Sequence, residues 1–225
     1  MAMIGIGAAV FDLDGTLIDT EPRNRKMWSR LFDAHRVPYD EALIGSFAGR
    51  RGIEALADHA HLFPGRTVEE LFEQAVSYES LPGMPDVAPV PGAVDLVRSL
   101  ADAGVPLAVV TSGQRPYAER LLDVLGIRGL LDLVVTAGDV VTGKPHPEGY
   151  LAAARDLDVS PREAVGFEDA PAGVAAVKAA GMTCVGVVTT QTVVALAGAD
   201  HVVADFMEVD VVPGPALRVL RTVTS

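Results

Sequence analysis

The chain has one cysteine, Cys184, among its 225 residues. No internal disulfide is possible, and such usage fits a reducing, cytoplasmic compartment. Cys184 falls in the apolar run 183–188 and reads as a small core residue. No stretch approaches the ~18 uninterrupted apolar residues of a transmembrane helix. The start, MAMIGIGAAVFDLD, is apolar but lacks the basic segment of a secretory signal, and reads as a first strand. Positive charge is also scarce: 18 Lys and Arg stand against 30 Asp and Glu, a net charge of −12. That argues against nucleic acid and anionic membrane surfaces as partners. An anionic small molecule would have to be attracted locally, by a metal ion, a lysine or backbone N–H groups. There is no internal repeat and no low-complexity segment.

A hydrophobic content of 49% is enough for a full core, and the length fits one domain or one domain with an insertion. From residue 91 onward, strand and helix signals alternate. Helices are expected at 92–103, 116–125, 147–157, 171–180, 191–197 and 215–222. Strands are expected at 107–110, 133–136, 164–167, 183–188 and 201–203. Strands alternating with helices of this length imply βαβ units and a parallel sheet covered on both faces. Residues 21–87 differ. They carry helical periodicity, at 22–35, 40–47, 52–60 and 67–78, and no convincing strand. The expected fold is an α/β, Rossmann-like parallel sheet (residues 1–20 and 88–225) with an inserted all-helical cap (residues 21–87). Hinges are expected near 20–22 and 82–91, so that the insert lies over the end of the first strand as a lid.

The chemistry-bearing positions recur where apolar runs end. Asp12 and Asp14 follow the run 8–11 in FDLDGTLIDTE, Thr111 and Ser112 follow 107–110, and Glu168 and Asp169 follow 164–167. Lys144 stands in Thr142-Gly143-Lys144-Pro145. Each has an ordinary reading: helix cap, solvated turn acid or exposed lysine. Their coincidence on one carboxyl edge of a parallel sheet, where ligands bind in such folds, favours a common site. Together they suit phosphoryl transfer. One carboxylate can be a nucleophile, and a second can protonate the leaving alcohol and then activate water. Three acids at one point require a divalent cation, and Mg²⁺ suits hard oxygen donors. Lys144 with the N–H groups of Ser112 and Gly113 can hold phosphate charge. His146 reads as a cap of the next helix.

Asp12-Leu13-Asp14-Gly15-Thr16, Thr111-Ser112-Gly113, Gly143-Lys144-Pro145 and Glu168-Asp169 resemble, in order and spacing, the four motifs of the haloacid dehalogenase-like hydrolases. The resemblance implies Mg²⁺-dependent hydrolysis of a phosphomonoester. It implies Asp12 as nucleophile, Asp14 as general acid/base, and Thr111 and Lys144 as holders of the phosphoryl group. It implies metal ligation by Asp12, by the Asp14 backbone carbonyl and by Asp169, with Glu168 acting through a bound water. The surrounding residues, Val90-Pro91-Gly92-Ala93 and Phe167-Glu168-Asp169-Ala170-Pro171-Ala172-Gly173-Val174 among them, look like the small-sugar and polyol phosphatases. The β-phosphoglucomutases share the architecture, but their pattern has a histidine at Asn24 and a cap lysine and arginine near Ala48 and Gly52.

The leading expectation is therefore a phosphatase of a small phosphorylated sugar or polyol. A phosphosugar mutase is the alternative, and a non-catalytic phosphosugar-binding module, which needs no acid at Asp14, is the third. The cap residues that could meet substrate are Arg23, Asn24, Trp28, Arg50, Arg51 and Glu54. Each also fits a solvated or lid-packing role. Arg50 and Arg51 are the first candidates for a second anionic or hydroxyl-rich end of the substrate. Oligomeric state is not readable from the sequence.

Overall fold

The computed structural model describes residues 1–48, 50–214, 216–220 and 223. In chain order the elements begin with β1 (Ala2–Gly5), β2 (Ala8–Phe11) and the two-residue β3 (Ile18–Asp19). Helices α1 (Glu21–Ala34), α2 (Glu41–Gly45), α3 (Gly52–Asp58) and α4 (Val68–Ser77) follow, and then β4 (Ala88–Pro89). Next come α5 (Ala93–Asp102), β5 (Leu107–Val110), α6 (Arg115–Leu125), β6 (Leu133–Val135) and α7 (Glu148–Asp156). The chain continues through β7 (Ala164–Glu168), α8 (Pro171–Ala179), β8 (Thr183–Val187), β9 (His201–Val203), β10 (Val209–Val212) and β11 (Ala216–Val219).

The expected parallel α/β core is present. Six strands run in the order β6-β5-β2-β7-β8-β9, all parallel. Strand β2 is central, with Phe11 beside Val109 on one neighbour and Phe167 on the other. Strand order reverses about β2, so the loops after β2, β5 and β7 open onto one crevice. Side chains alternate between the two faces. Ala9, Phe11, Leu107, Val109, Val165 and Phe167 pack with α5 and α6 residues such as Leu100 and Leu122. Ala8, Val10, Ala108, Val110 and Cys184 pack with α7 and α8 through Tyr150, Ala153 and Val177. Both faces are covered, which is why these strands read as continuous apolar runs. The Phe11 and Phe167 rings stack at 4.6 Å.

Helices α1 to α4 bury a separate apolar cluster of Trp28, Leu31, Phe32, Ile44, Phe47, Leu56, Phe63 and Leu71. Local signals start them. Asp40 accepts from the Leu43 N–H, and Thr67 with Glu70 forms a reciprocal capping box for α4, contributing about 1 kcal/mol. The chain leaves and rejoins the sheet through a ribbon in which Ile18 faces Pro89 and Asp19 faces Ala88. Among the described residues no helix is long and apolar enough to cross a membrane.

Three expectations change. The N-terminal run is two strands, not one: β1 joins an antiparallel sheet in the order β1-β11-β10. The two separate at Gly7, whose N–H is held by the Glu163 carbonyl at 2.7 Å. The expected helix at 191–197 is a series of turns, with Leu196 N–H reaching both Thr192 and Val193 carbonyls. Three consecutive β-branched residues, Thr192 to Val194, and Gly198 just beyond disfavour a regular helix there. The expected last helix, 215–222, is strand over Ala216–Val219, and residues 215, 221 and 222 lie outside the described residues. Leu217 and Val219 point inward while Arg218 pairs with Asp210 across the ladder, a two-residue period that a helical reading misses.

Candidate active site

The convergence expected from four separate strings is found at the carboxyl edge of the sheet. Asp12 directly follows β2, is buried, and donates its N–H to the Phe167 carbonyl at 2.9 Å. Carboxylate oxygens of Asp12, Glu168 and Asp169 lie within 4.8 Å of one another. Lys144 is buried with them. Its ammonium donates to Asp12, to Glu168 Oε1 at 2.6 Å and to the Val110 carbonyl at 3.1 Å.

The acids differ in their surroundings. Glu168 is fully buried, and Oε1 also accepts from the Tyr150 hydroxyl at 2.6 Å. Oε2 has no partner among the described residues. A Cβ on Gly173 would overlap this carboxylate, so Glu168 lies against the first turn of α8, where the helix end favours negative charge. Asp169 accepts from Thr16 Oγ1 at 3.1 Å and from Thr190 Oγ1. Gly15 permits this approach. A Cβ there would overlap Asp169, and its φ of +83° favours glycine. Asp14 turns away from the cluster and accepts from Thr20 Oγ1 at 2.7 Å and from the Tyr117 hydroxyl.

Burial raises Asp169 well above the ordinary carboxylate value, and the charges of Asp12 and Glu168 add to this. Burial also raises Glu168. Burial opposes the charge on Lys144, but Asp12 and Glu168 outweigh it and push the ammonium up. Burial, with the Asp12 charge, raises Asp14 to about 6, against the lowering effect of its two hydroxyl donors. Three buried carboxylates against one ammonium leave uncompensated negative charge. The donors are all hard oxygens, which fits a Mg²⁺-sized dication.

Asp12, Asp14 and Asp169 line a cavity of about 380 Å³. Ser112 and Gly113 line it too, while Thr111 and Lys144 face a neighbouring space of about 20 Å³. The Gly113 N–H is turned onto Thr111 Oγ1 at 3.0 Å, so one of the two backbone donors expected to meet phosphate is engaged locally. The roof comes from α1 to α4. Asn24, Trp28, Arg50 and Arg51 line the cavity, whereas Arg23 and Glu54 do not. Arg50 pairs with Asp58 at 2.7 Å. Arg51 reaches the loop that carries Lys144, donating to the carbonyls of Ala137, Val140 and Val141 at 2.9, 2.9 and 3.1 Å. His146 does not cap α7, which starts without a side-chain cap, and its ring lies 3.9 Å from Glu148. Sequence reasoning missed Thr20, Tyr117, Tyr150 and Thr190. Tyr117 and Tyr150 sit at ordinary apolar positions of α6 and α7, and their spacing carries no sign of a polar task.

Comparison with known proteins places these features in a wider set. A family described as haloacid dehalogenase-like hydrolase matches residues 6–181. The chain is 51% identical over 201 residues to validoxylamine A 7'-phosphate phosphatase of Streptomyces hygroscopicus subsp. limoneus, covering 89% of this chain and 94% of that one. It is 35% identical to hexitol phosphatase A of Escherichia coli (strain K12), over 76% and 78% of the two chains. The solved β-phosphoglucomutase of Clostridium difficile superposes with a TM-score of 0.75 at 27% identity, covering 89% of this chain and 92% of its own.

Proposed function

The chain belongs to the haloacid dehalogenase-like hydrolases, and we propose that it is a Mg²⁺-dependent phosphatase of a phosphorylated sugar or polyol. The observation that carries this reading is the arrangement of Asp12, Glu168, Asp169 and Lys144 around one point, with Asp14 beside them on the same cavity. The phosphatase and hexitol phosphatase names of its relatives support the substrate class.

In this reading, the Asp12 carboxylate attacks phosphorus, and the bond to the ester oxygen breaks as an aspartyl-phosphate forms. Asp14 gives its proton to the departing alkoxide. It then takes a proton from water, whose oxygen attacks phosphorus, releases inorganic phosphate and restores Asp12. Lys144 neutralises Asp12 and orients it toward the substrate, while Glu168 and Tyr150 hold the lysine in turn. The Thr111 hydroxyl and the Ser112 N–H meet the phosphoryl oxygens. Asp12 and Asp169, with the Asp14 backbone carbonyl, would hold Mg²⁺, and Glu168 would act through water. When bound, the ion offsets the charge of the acids and of the phosphoryl group. Residues 21–87 serve as the cap that closes the cavity.

The test is phosphate release from a panel of sugar and polyol phosphates with Mg²⁺. Asp12→Asn should lower kcat by on the order of 10³-fold or more, and chelation with EDTA should abolish release until Mg²⁺ is restored. Full activity in the Asp12 variant would refute the mechanism. The β-phosphoglucomutase likeness supports one rival, a phosphosugar mutase. Interconversion of glucose 1- and 6-phosphates without net phosphate release would select it.

A further inference from the structure

The cavity is shaped with the cap fastened to the core. Arg51 holds the loop at 137–141, and Arg120 of α6 pairs with Glu79 at 3.2 Å. The space between cap and core, about 380 Å³ and partly open to solvent, falls within the roughly 300–1,000 Å³ of sites that bury sizeable organic ligands. Glycerol or a triose would leave most of it to water. Part of its wall is carbon: Phe72 and Val76 face it, backed by the buried Met27, Trp28, Ile44 and Phe47.

Its charges are equally specific. The arginines that line it are Arg25, Arg50, Arg51 and Arg120, and each is matched by a carboxylate. Arg25 is held by Glu21 at 3.3 Å and by Glu41, Arg50 by Asp58 at 2.7 Å, Arg51 by Glu54 at 3.2 Å and Arg120 by Glu79. A second phosphate would have to break one of these pairs and then face Glu21 and Glu79, which also line the cavity. These pairs are partly solvent-exposed, so what opposes a second phosphate is competition with the carboxylates and like-charge repulsion. Each of these glutamates engages its arginine through one oxygen, leaving the other to accept from a hydroxyl or ammonium group.

We infer that the alcohol released is ring-bearing, larger than a triose, and free of any second phosphate, with a carbon face on the Phe72–Val76 wall and a hydroxyl or amino group toward Glu21 and Glu79. This rests on the phosphatase reading and narrows it. Arg50 and Arg51, expected to hold an anionic end, each carry a carboxylate partner with which such a group would compete.

The experiment measures kcat/KM of the full-length, Mg²⁺-loaded protein for five esters. These are glycerol 3-phosphate, glucose 6-phosphate, trehalose 6-phosphate, fructose 1-phosphate and fructose 1,6-bisphosphate. The two-ring ester should exceed the glycerol ester by roughly tenfold or more, the scale on which apolar pockets discriminate. The bisphosphate should fall about tenfold below fructose 1-phosphate. Val76→Phe, which narrows the cavity, should lower the two-ring value at least about fivefold more than the glycerol value. Preference for the glycerol ester or the bisphosphate, or equal losses in Val76→Phe, overturns the inference and leaves the phosphatase reading standing. Release from none of the esters, with Asp12→Asn matching the parent, overturns both.

Discussion

At the scale of the residue, two carboxylates two positions apart occupy different environments. Asp12 shares a buried cluster with Lys144, while Asp14 is held by two hydroxyls outside it. The donor from Tyr117 fixes where Asp14 points. A hydrogen bond to a charged or proton-transferring group is worth about 1.5–3 kcal/mol, so Tyr117→Phe should lower kcat about tenfold or more. The folded protein should keep its thermal midpoint within a few degrees, which a calorimetric scan would show. Unchanged kcat would mean that Tyr117 only fills space. Gly15 is the second sensitive position. Gly15→Ala adds a Cβ against Asp169 at a φ of +83°, a strain of order 1–3 kcal/mol. Its displacement of Asp169 should raise the Mg²⁺ concentration needed for half-maximal activity, read from a Mg²⁺ titration.

At the scale of the element, the strand ends were legible because each is a short apolar run followed by polar residues. Asp12, Thr111 and Asp169 follow from that pattern, and their adjacency follows from parallel pairing. What α6 and α7 contribute was hidden, because a tyrosine on a buried helix face looks like core until its hydroxyl finds a partner. The C-terminal residues 216–219 show the converse error. A continuing βα alternation pointed to a helix, while the inward Leu217 and Val219 obey the two-residue period of β11. The cap carries the clearest element-level prediction. Arg51 joins α3 to the 137–141 loop by three hydrogen bonds to backbone carbonyls. Arg51→Ala should loosen the cap and raise KM about tenfold, with kcat falling less, and Arg51→Lys should restore only part of the loss, because an ammonium cannot reproduce the guanidinium fork. Steady-state kinetics on the preferred ester would decide it, and an unchanged KM would count against the clasp.

At the scale of the whole molecule, a net charge of −12 surrounds a site that must admit an anion. Attraction is confined to the site itself, while the outer field repels. Salt screens the outer field more than the buried contacts, with a Debye length of about 10 Å at 0.1 M. At fixed free Mg²⁺, kcat/KM should therefore rise modestly between about 0.01 and 0.15 M of an inert salt. A fall would indicate a local positive funnel that dominates approach. The core that supports the site is divided by the sheet into two clusters, one on each face. Phe11 stacks on Phe167 within it, and Phe11→Ala should cost about 3–5 kcal/mol, measurable by denaturant unfolding.

The sequence by itself determined the parallel core, the helical insert and the set of acids and lysine that gather at one edge. These depend on local periodicity and on which residues end each apolar run. Only the tertiary structure decided which donors hold Asp14 and Asp169, that Glu168 braces Lys144 from behind, and that Arg25, Arg50, Arg51 and Arg120 at the cavity each pair with a carboxylate. Those outcomes depend on contacts between residues far apart in the chain, such as Tyr117 with Asp14, and a long-range pairing leaves no local pattern to read.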